Sequence, residues 1–184
     1  MTAMDLPWVP VKLELSDGRC AMVRLAHLQD APLVKEMYDL LSPRTRRLRY
    51  HAYTAELPLE TALTMCEFDP ARHACLIAVQ HSGDRETVIG HAQYARASSQ
   101  SVEAETAIVV RDDFQGLGLG GRMLSMLLEL CHSQNIKRVF GWVDSQNRHM
   151  LNLYRKTEWP LQIQHHAGEM LVTLFLGPTR PHRV

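Results

Sequence analysis

Between Thr106 and Leu128 a β-branched run, Ile108 to Val110, leads into Gly116, Gly118, Gly120 and Gly121, and these open directly into an apolar repeat of helical period. Strand, glycine loop and helix in that order leave few folds open. Glycines carry no Cβ, so backbone N–H groups in such a loop converge closely, and residues take a positive φ without strain. The helix adds its unpaired N-terminal N–H groups and the positive end of its dipole, so the segment predicts a phosphate guest.

Three kinds of loop share this composition. A nucleoside-triphosphate loop needs Lys and then Ser or Thr after the last glycine, and Arg122 and Met123 stand there instead. The dinucleotide fingerprint is matched literally by Gly116, Gly118 and Gly121, with Asp144 after the next strand-like run. That fold turns sharply from strand into glycine, however. Here Arg111 to Gln115 intervene, and too little chain follows Asp144 to complete the alternating strands and helices.

The third pattern is Gln or Arg, two residues, Gly, one residue, and Gly or Ala, met by Gln115, Gly118 and Gly120. With it the chain resembles the GNAT superfamily of acyl-CoA-dependent N-acetyltransferases. Asn147 and Tyr154, seven residues apart on the helix after the next strand, repeat a second spacing of that family. The resemblance implies a single α/β (α+β) GNAT domain with a mixed, mostly antiparallel sheet. That sheet is splayed between the strands ending at Val110 and Val143, with helices on both faces. It also implies acetyl-CoA as co-substrate: pyrophosphate on Gln115, Gly116, Leu117, Gly118, Leu119, Gly120 and Gly121, the pantetheine arm along Ile108, Val109 and Val110, and further contacts from Asn147 and Tyr154.

Length predicts one domain over residues 11–176, between a lead-in over 1–10 and a tail over 177–184. Lys plus Arg equal Asp plus Glu at 20 each, which argues against a general nucleic-acid surface. Cys20, Cys66, Cys75 and Cys131 lack paired spacing, so they predict neither disulfides nor zinc and read as small buried hydrophobes. No leader segment or long apolar run is visible, and a cytoplasmic protein with reduced thiols and no membrane contact is expected, monomeric or homodimeric. No metal is expected.

Along the chain, Val11 to Leu15 and Cys20 to Leu25 predict a hairpin. Asp30 reads as the N-cap of a helix with Pro32 in its first turn, followed by a short basic helix from Ser42-Pro43 and another over Leu57 to Phe68. Hairpin strands Cys75 to Gln80 and Thr87 to Arg96 come next, then the strand Val102 to Val110. Beyond the loop follow a helix over Arg122 to Cys131 ended by Asn135, a strand Arg138 to Val143 and a helix Asn147 to Lys156. A last hairpin pairs Leu161 to Gln164 with Glu169 to Leu176.

Amine acetylation sets chemical demands. An amine of pKa about 10.4 must lose a proton before it attacks, which costs about 4.6 kcal/mol at pH 7. Glu103 and Glu105 share a face of the strand that enters the loop. The run from Ala104 to Val110 resembles the strand of bacterial protein lysine acetyltransferases, and that resemblance implies Glu105 as general base, with Glu103 in reserve. A carboxylate raised by burial suits the task. Tyr154 is implied as general acid; protonating a thiolate of pKa about 8.5 from a tyrosine of about 10 is uphill by roughly 2 kcal/mol unless the site lowers it. The family's oxyanion donor corresponds to a backbone N–H near Val110.

Leu41-Ser42-Pro43 with Arg49-Tyr50 resembles the entry segment of the same lysine acetyltransferases, which implies that Arg49, Tyr50 and Glu103 contact the acceptor and that the arginines meet acidic substrate surface or the phosphates of coenzyme A, or else form a solvated face. Protein lysine is thus the expected acceptor; a small amine, or a non-catalytic acyl-CoA-binding module, are the alternatives. Thr157-Glu158-Trp159-Pro160 replaces the family's Leu-Gly-Phe after the tyrosine helix, and Glu158 in place of glycine implies strain or another exit.

Overall fold

The computed structural model describes residues 10–50 and 56–177, and only the backbone of Tyr50. Eight strands form one sheet: β1 (Val11–Glu14), β2 (Cys20–Leu25), β3 (His73–Ser82), β4 (Arg85–Ala95), β5 (Glu103–Val110), β6 (Arg138–Asp144), β7 (Leu161–His166) and β8 (Glu169–Phe175). Their spatial order is β1-β2-β3-β4-β5-β6-β8-β7, antiparallel everywhere except the parallel β5–β6 pair. The helices are α1 (Ala31–Asp39), α2 (Pro43–Tyr50), α3 (Leu59–Cys66), α4 (Leu119–Ser133) and α5 (Arg148–Arg155). This is the mixed, mostly antiparallel α/β domain that the sequence implies.

Alternation along the central strands builds a core on each side of the sheet. Ala74, Leu76 and Ala78 of β3 face α4, where Met123, Leu124, Leu127 and Cys131 cover them; Cys75, Ile77 and Val79 face the opposite core with Val34, Met37 and Tyr38 of α1 and Ala62 and Cys66 of α3. Helix α4 comes close because β4 offers Gly90 there: a Cβ would lie 2.7 Å from the Met123 sulfur.

Three local expectations meet different outcomes. Asp30 stands at the N-cap position of α1, as expected, but makes no side-chain cap. Its buried carboxylate accepts from Arg24 at 2.7 and 2.8 Å and from the His27 N–H at 2.7 Å. Burial opposes its charge, but these donors outweigh that and hold its pKa below the ordinary value. Cys20 is exposed, whereas Cys66, Cys75 and Cys131 are buried. Past Tyr154 the helix ends without any left-handed residue: the Thr157 N–H and hydroxyl both donate to the Tyr154 carbonyl, at 3.1 and 2.8 Å. A hydroxyl replaces the missing glycine. Asn135, expected to end α4, lies just past it and takes the left-handed conformation (φ 58°). The outer parts of the predicted lead-in and tail, 1–9 and 178–184, lie outside the described residues.

Candidate active site

At the end of β5 a short turn (Asp112–Phe114) leads into the glycine loop. Gly116 (φ 76°) and Gly118 (φ 85°) are left-handed, with nothing near the place of a Cβ, so the backbone and not bulk demands glycine. Gly118 occupies the N-cap of the fifteen-residue α4 and has no side chain to take up that helix's first N–H groups. Gly120 and Gly121 sit under Leu153 of α5, where added Cβ atoms would meet its methyls at 3.3 and 3.6 Å. An anion resting on the loop therefore meets bare N–H groups and a helix dipole.

The strand before the loop is open on one side. β5 pairs with β6 only over Glu103–Arg138, Ala104–Val139 and Glu105–Phe140, after which the two strands diverge. The Arg111 N–H donates to Ile89 of β4, so by alternation Val109 also faces β4, and the N–H groups of Ile108 and Val110 point into the splay. The Gln115 amide donates to the Val110 carbonyl at 2.9 Å, which fixes the strand end to the loop. The splay thus offers extended backbone to an extended ligand.

Tyr154 fills the crotch. Its hydroxyl lies 3.4 Å from the Thr106 hydroxyl, which donates to the Phe140 carbonyl at 3.2 Å. A Cβ on Gly141 would come within 2.7 Å of the tyrosine oxygen and 3.0 Å of the Thr106 carbonyl. Asn147 accepts from the Met150 N–H at 3.1 Å and so N-caps α5; the tyrosine follows seven residues later on the same face. Burial pushes the Tyr154 pKa up, against a smaller lowering by Thr106 and Arg49. The condition set for an efficient acid, a lowered pKa, is not met.

Glu105 lies on the opposite face. It is exposed, not buried, yet it lines the cavity whereas Glu103 does not. Glu103 is ion-paired with Arg138 on the neighbouring strand. Helix α2 packs over this face of β5 and β6, and Arg44, Leu48 and Arg49 line the cavity from it; the Tyr50 side chain lies outside the described residues. Asp112 anchors that helix, accepting from the Ser42 N–H at 2.9 Å and from the Ser42 and Thr45 hydroxyls at 2.7 Å each. Burial opposes the Asp112 charge, but these donors hold its pKa below the ordinary value.

Together these residues enclose a cavity of about 1140 Å³ that runs from the glycine loop through the crotch to Glu105. Ile108, Val109, Val110, Gln115, Gly116, Gly118, Gly120, Gly121, Asn147 and Tyr154 all line it; Leu117 and Leu119 do not, and Leu119 is instead a core residue. Sequence reasoning missed Thr106, Asp112, Gly141 and Trp142. A lone glycine within a strand pattern is itself a sign of close approach, and Gly141 was legible on that ground. Among the described residues no group of three or more His, Cys, Asp or Glu is placed to hold a metal.

The acetyltransferase (GNAT) family model matches residues 34–159. An acetyltransferase of Pseudomonas aeruginosa is 24% identical over 139 residues, which span 76% of this chain and 74% of that protein. The crystal structure of the GNAT domain of S. lividans PAT superposes with a TM-score of 0.81 at 22% identity, covering 91% of this chain and 97% of that one. A GNAT superfamily phosphinothricin acetyltransferase from Sinorhizobium meliloti, solved in complex with AcCoA, gives 0.68 at 19% identity over 88% of this chain and 93% of its own.

Proposed function

For this chain, which belongs to the acetyltransferase (GNAT) family, we propose direct acetyl transfer from acetyl-CoA to a primary amine, with a protein lysine as acceptor. The observation that carries the reading is the crotch itself, with Glu105 on one face of the splayed strands, Tyr154 entering from the other, and one cavity joining both to the glycine loop. The residues present fit the co-substrate: left-handed Gly116 and Gly118 present N–H groups to a pyrophosphate, and the Ile108 and Val110 N–H groups, turned away from β4, are aimed at the carbonyls of an extended arm. When bound, acetyl-CoA supplies an activated acetyl thioester.

Glu105 takes the proton that the attacking ammonium must lose, and its exposure lets that proton pass on to solvent. Its service is to hold the amine and accept the proton as attack proceeds. The Val110 N–H, aimed into the splay, stabilises negative charge on the carbonyl oxygen. Tyr154, with its pKa raised, keeps its proton and acts as a hydrogen-bond donor to the departing sulfur more than as a full acid.

Lysine in a protein is preferred to a small amine on the likeness of Ser42 to Tyr50 and of the Glu105 strand to bacterial lysine acetyltransferases, and because α2 brings Arg44 and Arg49 to the cavity, suited to acidic neighbours of the acceptor. The test is thiol release from acetyl-CoA with lysine peptides, folded proteins and small amines, comparing wild type with Glu105→Gln. A fall of about 10² or more in kcat/KM on protein lysine in the variant is expected. Saturable acetyl-CoA binding without turnover on any acceptor points instead to a binding module.

A further inference from the structure

We propose that Trp142 is the wall on which the alkyl stem of a cationic amine acceptor lies, and that it thereby selects lysine-like acceptors. The inference rests on the amine-acetylating reading above and names a residue to which that reading assigns no role.

Register places the indole. Glu105 and Phe140 are direct partners across the last paired rung of β5 and β6, so they share a face of the sheet, and Trp142, two residues on, shares it too. The alternate residues Val139, Gly141 and Val143 are buried toward α4 and α5. Past that rung the strands part. Trp142 therefore stands on the β6 lip of the splay, with Glu105 at its foot on β5, and both line the one cavity.

The indole is 40% exposed, in a chain that buries the larger part of its apolar side chains. An aromatic ring left in a cleft is a contact surface in waiting. It is not loose: the His166 ring of β7 braces it, with centroids 5.2 Å apart and planes at 67°. Glu169 of β8 lines the same cavity on the same face, two pairs beyond Trp142 on the paired strands, opposite Asp144.

An aromatic wall between two carboxylates suits an alkylammonium ion. The methylene stem packs on the indole, the ammonium gains from its π face, and Glu105 at the inner end receives the reacting nitrogen. A neutral chain of the same length keeps the packing and loses the rest. Selection then falls on acceptor binding, while the Tyr154 side of the crotch is untouched.

The experiment uses the full chain with free CoA and two probes, Nα-acetyl-lysine N-methylamide and its norleucine counterpart. Trp142 is one of three tryptophans. The lysine probe is expected to change the emission of the wild type saturably, and the norleucine probe only at concentrations about tenfold higher. In Trp142→Phe that change is lost. In turnover, Trp142→Ala should raise KM for the lysine probe about tenfold with kcat and the acetyl-CoA Kd little altered, and Trp142→Phe should recover most of it. Trp142→Gln serves if the alanine variant folds poorly. A wild-type emission blind to the lysine probe, equal response to both probes, or an unchanged KM in Trp142→Ala overturns the assignment. The two readings fail separately: saturable emission change without turnover on any amine sinks the enzymatic reading and upholds Trp142, whereas turnover indifferent to Trp142→Ala does the reverse.

Discussion

Gly141→Ala tests whether the Tyr154 hydroxyl is seated in the crotch. The new methyl would sit 2.7 Å from that oxygen, 3.0 Å from the Thr106 carbonyl and 3.6 Å from the ring carbon bearing the hydroxyl. An ordinary carbon contact is about 3.5 Å, so the hydroxyl must retreat by roughly 0.8 Å. Tyr154 is only 2% exposed, so the retreat meets packed neighbours. Overpacking of this kind costs about 1–3 kcal/mol, offset by the roughly 0.5–1 kcal/mol that alanine gains over glycine in a strand. A net loss of about 1–2 kcal/mol is expected. In a Tyr154→Phe background the atom at 2.7 Å is gone and the next ring atom is at ordinary distance, so most of the loss should vanish. Urea denaturation of the four proteins of this cycle measures the coupling. Kinetics should agree: Gly141→Ala lowers kcat in the wild type and adds nothing further to Tyr154→Phe. Additive stabilities, with coupling below about 0.5 kcal/mol, would refute the placement.

His91 makes a prediction about pH. Its ring is fully buried on β4 with no hydrogen-bond partner for either nitrogen among the described residues, and burial, then the charges of Arg49 and His73, push its pKa down to about 3. The unfolded chain takes up this proton near pH 6.5, so between there and pH 3 it binds more protons than the native state and stability falls as pH falls, by about 2 kcal/mol between pH 7 and pH 5. His91→Leu should lose that much less over the same interval in urea titrations at the two pH values; parallel losses would show that the imidazole is not held neutral. Gly118→Ala strains a left-handed backbone by about 1–2 kcal/mol and should weaken acetyl-CoA about tenfold by calorimetry. Gly168→Ala, equally left-handed (φ 95°) in the β7–β8 turn, should cost similar stability and leave acetyl-CoA affinity intact.

How much of this was legible before the structure depends on the range of each interaction. The glycine loop, the Asn147 cap and the tyrosine two turns beyond it are local: φ, helix period and capping act over a few residues, and the sequence displays them. The strands and helices fall at their expected places for the same reason, with ends shifted by a few residues. Exposure of Glu105 is not local, because it depends on how α2 lies over a strand more than fifty residues later in the chain. Nor is the direction in which the Tyr154 pKa moves, which is set by burial between elements far apart in sequence. Asp30 misleads because the geometry that suits a cap suits a bidentate arginine equally well, and the choice falls to Arg24 on the preceding strand. The Thr157 role is hidden because a hydroxyl that closes a helix end leaves no pattern as plain as the glycine it stands in for.

The splay needs a physical cause, since neighbouring strands normally continue their ladder. Where the ladder ends, the Thr106 hydroxyl also donates to the Phe140 carbonyl of the last paired rung. Next to it the Tyr154 phenol stands where only a strand residue without a Cβ, Gly141, allows it. One side-chain wedge thus ends the pairing, and Ile108 and Val110 keep N–H groups that no strand among the described residues satisfies. Exposed edges of this kind invite pairing with whatever extended chain arrives. Here the wedge directs that edge inward to a cavity, and Asp112 and Gln115 tie its far end to α2 and the anion loop. The residue that opens the sheet, Tyr154, is also the hydroxyl nearest to where the reaction is proposed. Opening the site and equipping it are one structural act, so a substitution at Tyr154 that keeps the ring and removes only the oxygen is the change that separates them.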